Sequence, residues 1–466
     1  MKHKVWLSVL LVLCILTGCL QPKMGMQGKL ISSDRDTLGL TPDFSYEVTE
    51  QTPNILVNQI GYLTKNKKVA ILRGNNLYDV FYVYNAYTNE KVFEGYLASD
   101  NIAAMQSEEV SDTVVKEEKK AIYLADFSQI EKPGTYYVYQ KDLGYSYEFQ
   151  IGDNIYDDVE KTALTLLETE NEDVSKICYQ LTALLITKEL YPSHLLEEER
   201  LNKICKEKIE LLLQAQDAIT GNVYANISDV SKIQGMDEQQ KQQYISLAAT
   251  AEFAGVLAIY ADQMKETDGN LAYQYQTAAE KAYWAIQLSL DNVGYDAGYF
   301  AASHLYRLTG RLKYAQAIEQ YLNMKEEQKG YTEYDFSLFA DYGYLTLRYG
   351  SNLAWSELVM KRIMKQAEEI SRTVGKNNYY VSEKREYNDI NGKLKDMSNL
   401  ALVNYIITNH EYSILQRNYL DYFLGRNPYN ICYMDGFGTG NAIEDEDKIN
   451  SENVGLFYLL LQSTKL

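Results

Sequence analysis

Residues 134–153, GTYYVYQKDLGYSYEFQIGD, contain the point at which the pattern of the chain changes. Up to Ile151 the stretch is rich in aromatic and β-branched residues, and the turn Lys141-Asp142-Leu143-Gly144 divides it, which predicts a β-hairpin. After Asp153 apolar residues recur with a period of about 3.6, which is typical of amphipathic helices. The sequence therefore predicts a change from strands to helices near Asp153.

The residues before this point, 53–152, repeat the strand pattern. Short β-rich runs begin at Val69, Val80, Lys91 and Ile122, and polar or glycine-containing turns separate them. About a hundred residues of this kind fit a two-sheet sandwich. We expect an all-β domain over residues 53–152.

The residues after this point, 153–466, have the apolar periodicity of helices throughout. The predicted helices are 181–190, 201–213, 248–264, 278–290, 297–309, 336–349, 358–374, 399–407 and 414–424. Short loops join them, so we expect an all-α domain.

The composition narrows the classes of function. The chain has 466 residues and a net charge of −19, with 45 Lys and Arg against 64 Asp and Glu. A nucleic-acid binder needs a basic surface, so we expect no nucleic-acid partner. The 42 tyrosines, against 12 phenylalanines, suit a sugar-binding face or a protein interface, but they equally suit aromatic core and strand positions.

The N-terminus has the features of a bacterial lipoprotein signal. Basic residues precede an apolar run that is too short to span a bilayer, and the run ends in Leu16-Thr17-Gly18-Cys19, which resembles a lipobox. We expect residues 1–18 to be the signal peptide and Cys19 to carry the lipid. Residues 19–52 are polar and predict a flexible tether. The expected location is the extracytoplasmic face of the bacterial cell membrane, which the protein contacts through its lipid anchor.

Three cysteines remain in the body of the chain, Cys178, Cys205 and Cys432. They allow at most one disulfide, whose pairing the spacing does not select, and free buried thiols are the favoured interpretation. Neither a CxxC pair nor a His-x-His cluster occurs, so we expect no metal site and no cofactor.

Five stretches of the chain form recognisable motifs, which are Ile55-Leu56-Val57-Asn58-Gln59-Ile60-Gly61-Tyr62, Pro133-Gly134-Thr135-Tyr136-Tyr137, Gln216-Asp217, Thr250-Ala251-Glu252-Phe253-Ala254 and Gly425-Arg426-Asn427-Pro428. These motifs resemble glycoside hydrolase family 9, the cellulases, together with the immunoglobulin-like module that precedes their catalytic domain. The resemblance implies an immunoglobulin-like sandwich over residues 53–152 and an (α/α)6 barrel over residues 153–466. It also implies a cleft for β-1,4-glucan or a related oligosaccharide and inverting hydrolysis of O-glycosyl bonds.

Inverting hydrolysis needs one carboxylate to activate water and one carboxylic acid to protonate the leaving oxygen. In the family the base lies in a "GGWxDAGDxGKY" loop that follows a "DVS" tripeptide. Here Asp173-Val174-Ser175 continues directly into Lys176, so the base loop is interpreted as deleted and no base is identified. The sequence around Asp296 matches part of this loop, but we interpret Asp296 as a first-turn or N-cap acid of another helix.

The resemblance implies two alternative acids, Asp447 and Glu452, depending on how the segment before the last helix is aligned. Both can instead belong to a solvated acidic loop that caps this helix. A replacement base could come from the acidic run Glu168, Glu170, Glu172 and Asp173.

Three hypotheses follow from these features. The chain is a residual endo-β-1,4-glucanase, a catalytically degenerate lipoprotein (a pseudoenzyme) that binds glycan or protein, or a structural surface protein. Without a base the activity is expected to be weak or lost, because general acid–base help is typically worth about 10²–10⁴ in rate.

Overall fold

The computed structural model describes residues 29–30, 52–99, 121–287, 293–348, 350–383, 385–386, 389–438 and 448–465. The predicted lipid-bearing Cys19 and the acid candidate Asp447 lie outside these residues. So do the predicted signal peptide and most of the predicted tether.

The N-terminal module is built from two sheets. One sheet has the strand order β1-β6-β5-β9-β11-β3, with β10 paired to β9, and the other has the order β2-β4-β8-β7. The strands are β1 Lys29–Leu30, β2 Ile55–Leu56, β3 Gly61–Tyr62, β4 Val69–Arg73, β5 Val80–Asn85, β6 Lys91–Tyr96, β7 Ala98–Ser99, β8 Ile122–Asp126, β9 Gly134–Gln140, β10 Gly144–Tyr145 and β11 Phe149–Ile151. This strand-rich module confirms the sandwich predicted for residues 53–152.

Alternation of side chains explains how the larger sheet forms. Along β5, Phe81 and Val83 are buried in the core between the sheets, while Tyr82 and Tyr84 point to the other face. Strand β1 lies within the predicted tether and pairs antiparallel with β6, so the chain contacts the sandwich at Lys29–Leu30.

The C-terminal module is helical. Its helices are α1 Asp157–Leu167, α2 Val174–Leu190, α3 Glu198–Gln214, α4 Asp229–Lys232, α5 Glu238–Lys241, α6 Leu247–Met264, α7 Gly269–Ile286, α8 Tyr295–Thr309, α9 Leu312–Asn323, α10 Ser337–Leu345, α11 Leu353–Val374, α12 Ile390–Ile407, α13 His410–Phe423 and α14 Val454–Ser463. Each helix named from the sequence is present, although α2, α7 and α12 begin earlier and α10 ends earlier than predicted. Helices α1, α4, α5 and α9 were not predicted. Within the described residues, none of the helices is long and apolar enough to cross a membrane.

Helix α6 is the most apolar part of the core. It packs against α2, α7 and α8, and its residues from Ala249 to Asp262 are buried on all sides. A helix that is apolar around its whole circumference is one that neighbouring helices surround. The buried polar residue Glu252 is therefore an exception in this helix.

The two modules share an apolar interface. Leu56, Ile71 and Ile122 of the smaller sheet belong to the core of the helical module, whereas their strand neighbours face the sandwich core. Strand β4 is thus buried on both faces, which explains why its sequence is a continuous apolar run instead of an alternating one.

Polar contacts across this interface come from the motifs that carried the family resemblance. The side-chain amide of Asn58 donates to Asp421 Oδ1 at 2.9 Å and to the Tyr156 hydroxyl at 3.1 Å. Arg426 Nη1 lies 3.1 Å from Asp421 Oδ2. Gly425 has φ of 131°, and a Cβ there would lie 2.8 Å from the Val57 carbonyl oxygen, so only glycine fits this close approach. These motifs join the modules.

Candidate functional site

A cavity of about 510 Å³ opens where several helices of the C-terminal module begin. Asp173 and Ser175 at the start of α2, Ala248 in the first turn of α6 and Gly294 just before α8 line it. The loop 330–334 completes the wall. Elements that are distant in sequence therefore converge on one concave site.

Tyrosine rings form much of the lining. Tyr295, Tyr321, Tyr331 and Tyr334 all contribute. Tyr331 is 52% exposed and packs edge-on against Tyr295, with ring centroids 5.7 Å apart. Arg362 donates to the Tyr295 hydroxyl at 3.0 Å and fixes this ring. Rings of this type offer an apolar face together with a hydroxyl group, which suits a ligand that is itself both apolar and hydrogen-bonding.

Carboxylates supply the other part of the lining, through Asp173, Glu252 and Glu333. Asp173 is the N-cap of α2, and its Oδ1 accepts from the Lys176 backbone N–H at 2.8 Å. Helix α2 begins at Val174, so the chain enters the helix directly after Asp173. Of the acidic run proposed as a source of a replacement base, Glu168 pairs instead with Arg200, and Asp173 is the member that reaches the cavity.

Glu252 is fully buried in α6 and lines the same cavity. Burial raises the pKa of its carboxyl to about 8, and the hydroxyls of Ser175 and Thr332 partly offset this effect. The negative charges of Asp296 and Asp173 raise the pKa further. The site therefore holds a carboxyl group that is protonated at neutral pH.

Asp296 has a structural role, as its sequence position predicted. It lies in the first turn of α8 and is fully buried. Its carboxylate accepts from the backbone N–H of Thr332 at 2.8 Å and of Phe336 at 3.0 Å, and from the Thr332 hydroxyl. It holds the cavity loop against α8 and is not placed to act as a base.

Glu452, one of the two acid candidates, lies in the turn before α14, beside the cavity instead of in its lining. Burial raises the pKa of Tyr334, and the negative charges of Asp173, Glu333 and Glu452 raise it further. Glu452 is thus brought to the edge of the site.

Among the described residues that line the cavity, none is a lysine or an arginine, although Lys329 and Arg362 contact the lining residue Tyr295. The described part of the chain also contains no group of three or more His, Cys, Asp or Glu arranged to hold a metal ion. The chemistry of the lining fits an uncharged ligand that carries hydroxyl groups.

The three body cysteines are free, as predicted. Cys178 and Cys205 are buried and Cys432 is half-buried. Burial raises the pKa of Cys205 to about 11, so its thiol is neutral.

Many tyrosines occupy the core, but one group lies on the outer face of the larger sheet. Cross-strand pairing aligns Tyr82 with Tyr139 and Tyr84 with Tyr137, and the rings of each pair stack. Tyr145 on β10 extends this face and is 45% exposed. We call these residues the sandwich tyrosine face. The tyrosines of this chain therefore fill core positions and also form an exposed surface.

The sequence profile of glycosyl hydrolase family 9 matches residues 173–445, and that of the cellulase N-terminal Ig-like domain matches residues 50–144. The chain belongs to glycosyl hydrolase family 9 and carries an N-terminal immunoglobulin-like domain. It is 31% identical over 110 residues to Endoglucanase D of Acetivibrio thermocellus. The match spans 24% of this chain and 15% of the length of that relative.

Solved structures share the fold over most of the chain. A metagenome-derived family 9 endoglucanase aligns with a TM-score of 0.70 and 19% identity, over 88% of this chain and 99% of that one. AaCel9A, in complex with cellobiose-like isofagomine, aligns with a TM-score of 0.65 and 18% identity, over 83% and 85% of the two chains. At these identities the likeness shows the fold alone.

Sequence reasoning quoted Glu252 only as part of a family motif and did not single out the loop 330–334. A signal for Glu252 was available, because it is the one charged residue within the apolar run 247–261. No comparable pattern marks the loop, which reaches the cavity because the buried Asp296 binds it.

Proposed function

We propose that the cavity is a glycan-binding site for β-glucan or a related oligosaccharide, in an (α/α)6 barrel. The observation that carries this proposal is the lining itself, which combines tyrosine rings with carboxyl groups and has no cation among its described members. Sugars present apolar C–H faces and rims of hydroxyls, and such a lining matches both. The family membership and the ligand of AaCel9A support the same class of ligand.

The proposal includes a weak or lost hydrolase activity. The family places its base in a loop after the "DVS" tripeptide, whereas here α2 begins at Val174 and Asp173 is committed to capping it. Glu452 stands near the cavity without an assigned base opposite it. A barrel that retains its binding surface but lacks the base is expected to bind sugar and to cleave it slowly, because ligand binding and transition-state stabilisation are separable.

Replacing Tyr331 should weaken sugar binding. Tyr331 lines the cavity and is half exposed, so Tyr331→Ala removes a ring that a sugar can contact. We expect at least a fivefold loss of affinity for cellotetraose by isothermal titration calorimetry. The matched control is Tyr145→Ala, since Tyr145 is similarly exposed but lies on the sandwich tyrosine face.

Unchanged affinity in Tyr331→Ala would contradict the assignment of the cavity. A loss confined to Tyr145→Ala would move the ligand site to the sandwich tyrosine face. The exposed sandwich tyrosine face favours a second candidate function. In this alternative, a degenerate hydrolase binds a glycan or a protein partner through its N-terminal module.

The proposal also places the protein on the membrane surface through a lipid on Cys19. Replacing this residue removes the thiol that would be acylated, and with it the lipid chains that would insert into the membrane. In fractionated bacterial cells, Cys19→Ala should move from the membrane to the soluble fraction or the medium. Retention of the variant in the membrane at the wild-type level would refute the lipid anchor.

A further inference from the structure

Glu252 is the least satisfied polar group of the cavity. It is fully buried, it lines the cavity, and neither of its carboxyl oxygens makes a hydrogen bond of normal geometry with the described residues, although the hydroxyls of Ser175 and Thr332 lie near it. A buried polar group without a partner costs about 1–3 kcal/mol. Because this carboxyl group lies at the wall of a cavity, we infer that a ligand bound in the cavity supplies its hydrogen-bond partner.

The groups that face Glu252 come from three elements. From α2 come Asp173 and Cys178, and from α8 comes Asp296. The cavity loop contributes Tyr334, besides the hydroxyl of Thr332. The two aspartates are negative, while burial raises the pKa of Cys178 and of Tyr334 and keeps both neutral. No positive charge is among the described groups that act on Glu252.

We propose that Glu252 is a ligand-binding residue whose protonated carboxyl donates a hydrogen bond to a hydroxyl of a neutral sugar ring in the cavity. This inference rests on the proposed function and narrows its ligand class. A sugar hydroxyl can accept this bond and can also donate to the second carboxyl oxygen, so both orphan oxygens gain partners. Asp173 and Glu333 in the same lining repel an anionic sugar, so the site selects neutral hexopyranoses over uronic acids.

The protonation state of Glu252 gives this proposal a specific signature. With a pKa of about 8, the carboxyl donates below pH 8 and becomes an anion above it. The anion cannot donate, and it lies beside two other negative groups. Affinity for the sugar should therefore fall as the pH rises through about 8, by roughly tenfold or more at pH 9.5.

The experiment is titration calorimetry of the full chain with cellotetraose at pH 6.5 and 9.5. Glu252→Gln retains an N–H donor at every pH, so it should bind with near wild-type affinity at pH 6.5 and should not lose affinity at pH 9.5. Glu252→Ala should bind at least tenfold more weakly at both pH values. Glu333→Gln is the control, since Glu333 is an exposed carboxylate of the same cavity and its variant should keep the wild-type pH dependence.

The outcomes separate this inference from the proposed function. If the wild type binds cellotetraose equally at both pH values and Glu252→Ala binds as well as the wild type, the role of Glu252 is refuted and the glycan site stands. If the wild type binds no cello-oligosaccharide at either pH, both proposals fail. Equal affinity for an oligosaccharide of glucuronic acid would refute the neutral ligand class. If Glu252→Ala does not fold by circular dichroism, the pH profile of Glu252→Gln decides.

Discussion

Removing the carboxylate of Asp421 should destabilise the protein by about 3–5 kcal/mol. Asp421 lies at the interface of the two modules, where it pairs with Arg426, a side chain that is 2% exposed. Asp421→Ala leaves the Arg426 guanidinium buried without its carboxylate and removes an acceptor of the Asn58 amide. An uncompensated buried charge costs more than the pair itself contributes, which is why the expected effect is large.

Denaturant unfolding of the full chain measures this effect. Asp421→Asn keeps an acceptor for Asn58 but removes the charge, so it should be less harmful than Asp421→Ala. The control is Asp435→Ala, whose side chain is 74% exposed and pairs with Lys448, and exposed pairs contribute little. If Asp421→Ala is as stable as Asp435→Ala, the polar network does not hold the modules together.

The interface explains why the family was recognisable from sequence. Asn58 and Gly61 lie in the first motif, and Asp421, Gly425 and Arg426 lie in or beside the last. These residues meet in the structure, and each contacts backbone or a buried partner that tolerates few substitutes. These two motifs therefore serve packing between the modules, and their presence says little about whether catalysis survives.

Strands and most helices could be predicted because their periodicity is strong. The outward and inward positions of β5 alternate from Val80 to Tyr84, and α6 is apolar over several turns. Helices α1 and α9 were missed although their buried residues recur at helical spacing, as Tyr314, Ile318 and Tyr321 do in α9. Helix α7 begins at Gly269, where the Asp268 side chain caps it, ahead of the apolar residues on which the prediction relied.

The candidate site could be predicted only in part. Asp173 and Ser175, which the sequence singled out as the position of the missing base loop, lie in one wall of the cavity because α2 begins there. Asp296 was rightly interpreted as a first-turn acid. The contribution of Glu252 depends on which face of α6 meets the cavity, and the position of the loop 330–334 depends on long-range bonds to Asp296. Neither is encoded in local periodicity.

The central claim is that this chain keeps the sugar-binding site of a family 9 fold but lacks the base that cleavage requires. Water attack at the anomeric carbon needs a carboxylate to take its proton, and we interpret the segment that follows the "DVS" tripeptide in the family as deleted between Ser175 and Lys176. General acid–base help is worth about 10²–10⁴ in rate, so the loss of the base should reduce turnover by at least that range. Glu452 or Asp447 alone cannot compensate, because an acid without a base leaves the water unactivated.

The measurement that tests this claim most directly is the release of reducing ends from soluble β-glucan, with Endoglucanase D of Acetivibrio thermocellus as the positive control. The wild-type chain should bind cello-oligosaccharides yet release reducing ends at least a hundredfold more slowly than the control. Asp447→Asn and Glu452→Gln should each leave this slow rate unchanged within about twofold, because neither residue would be limiting without a base. Brisk hydrolysis that one of these two substitutions abolishes would contradict the account and would establish a replacement base.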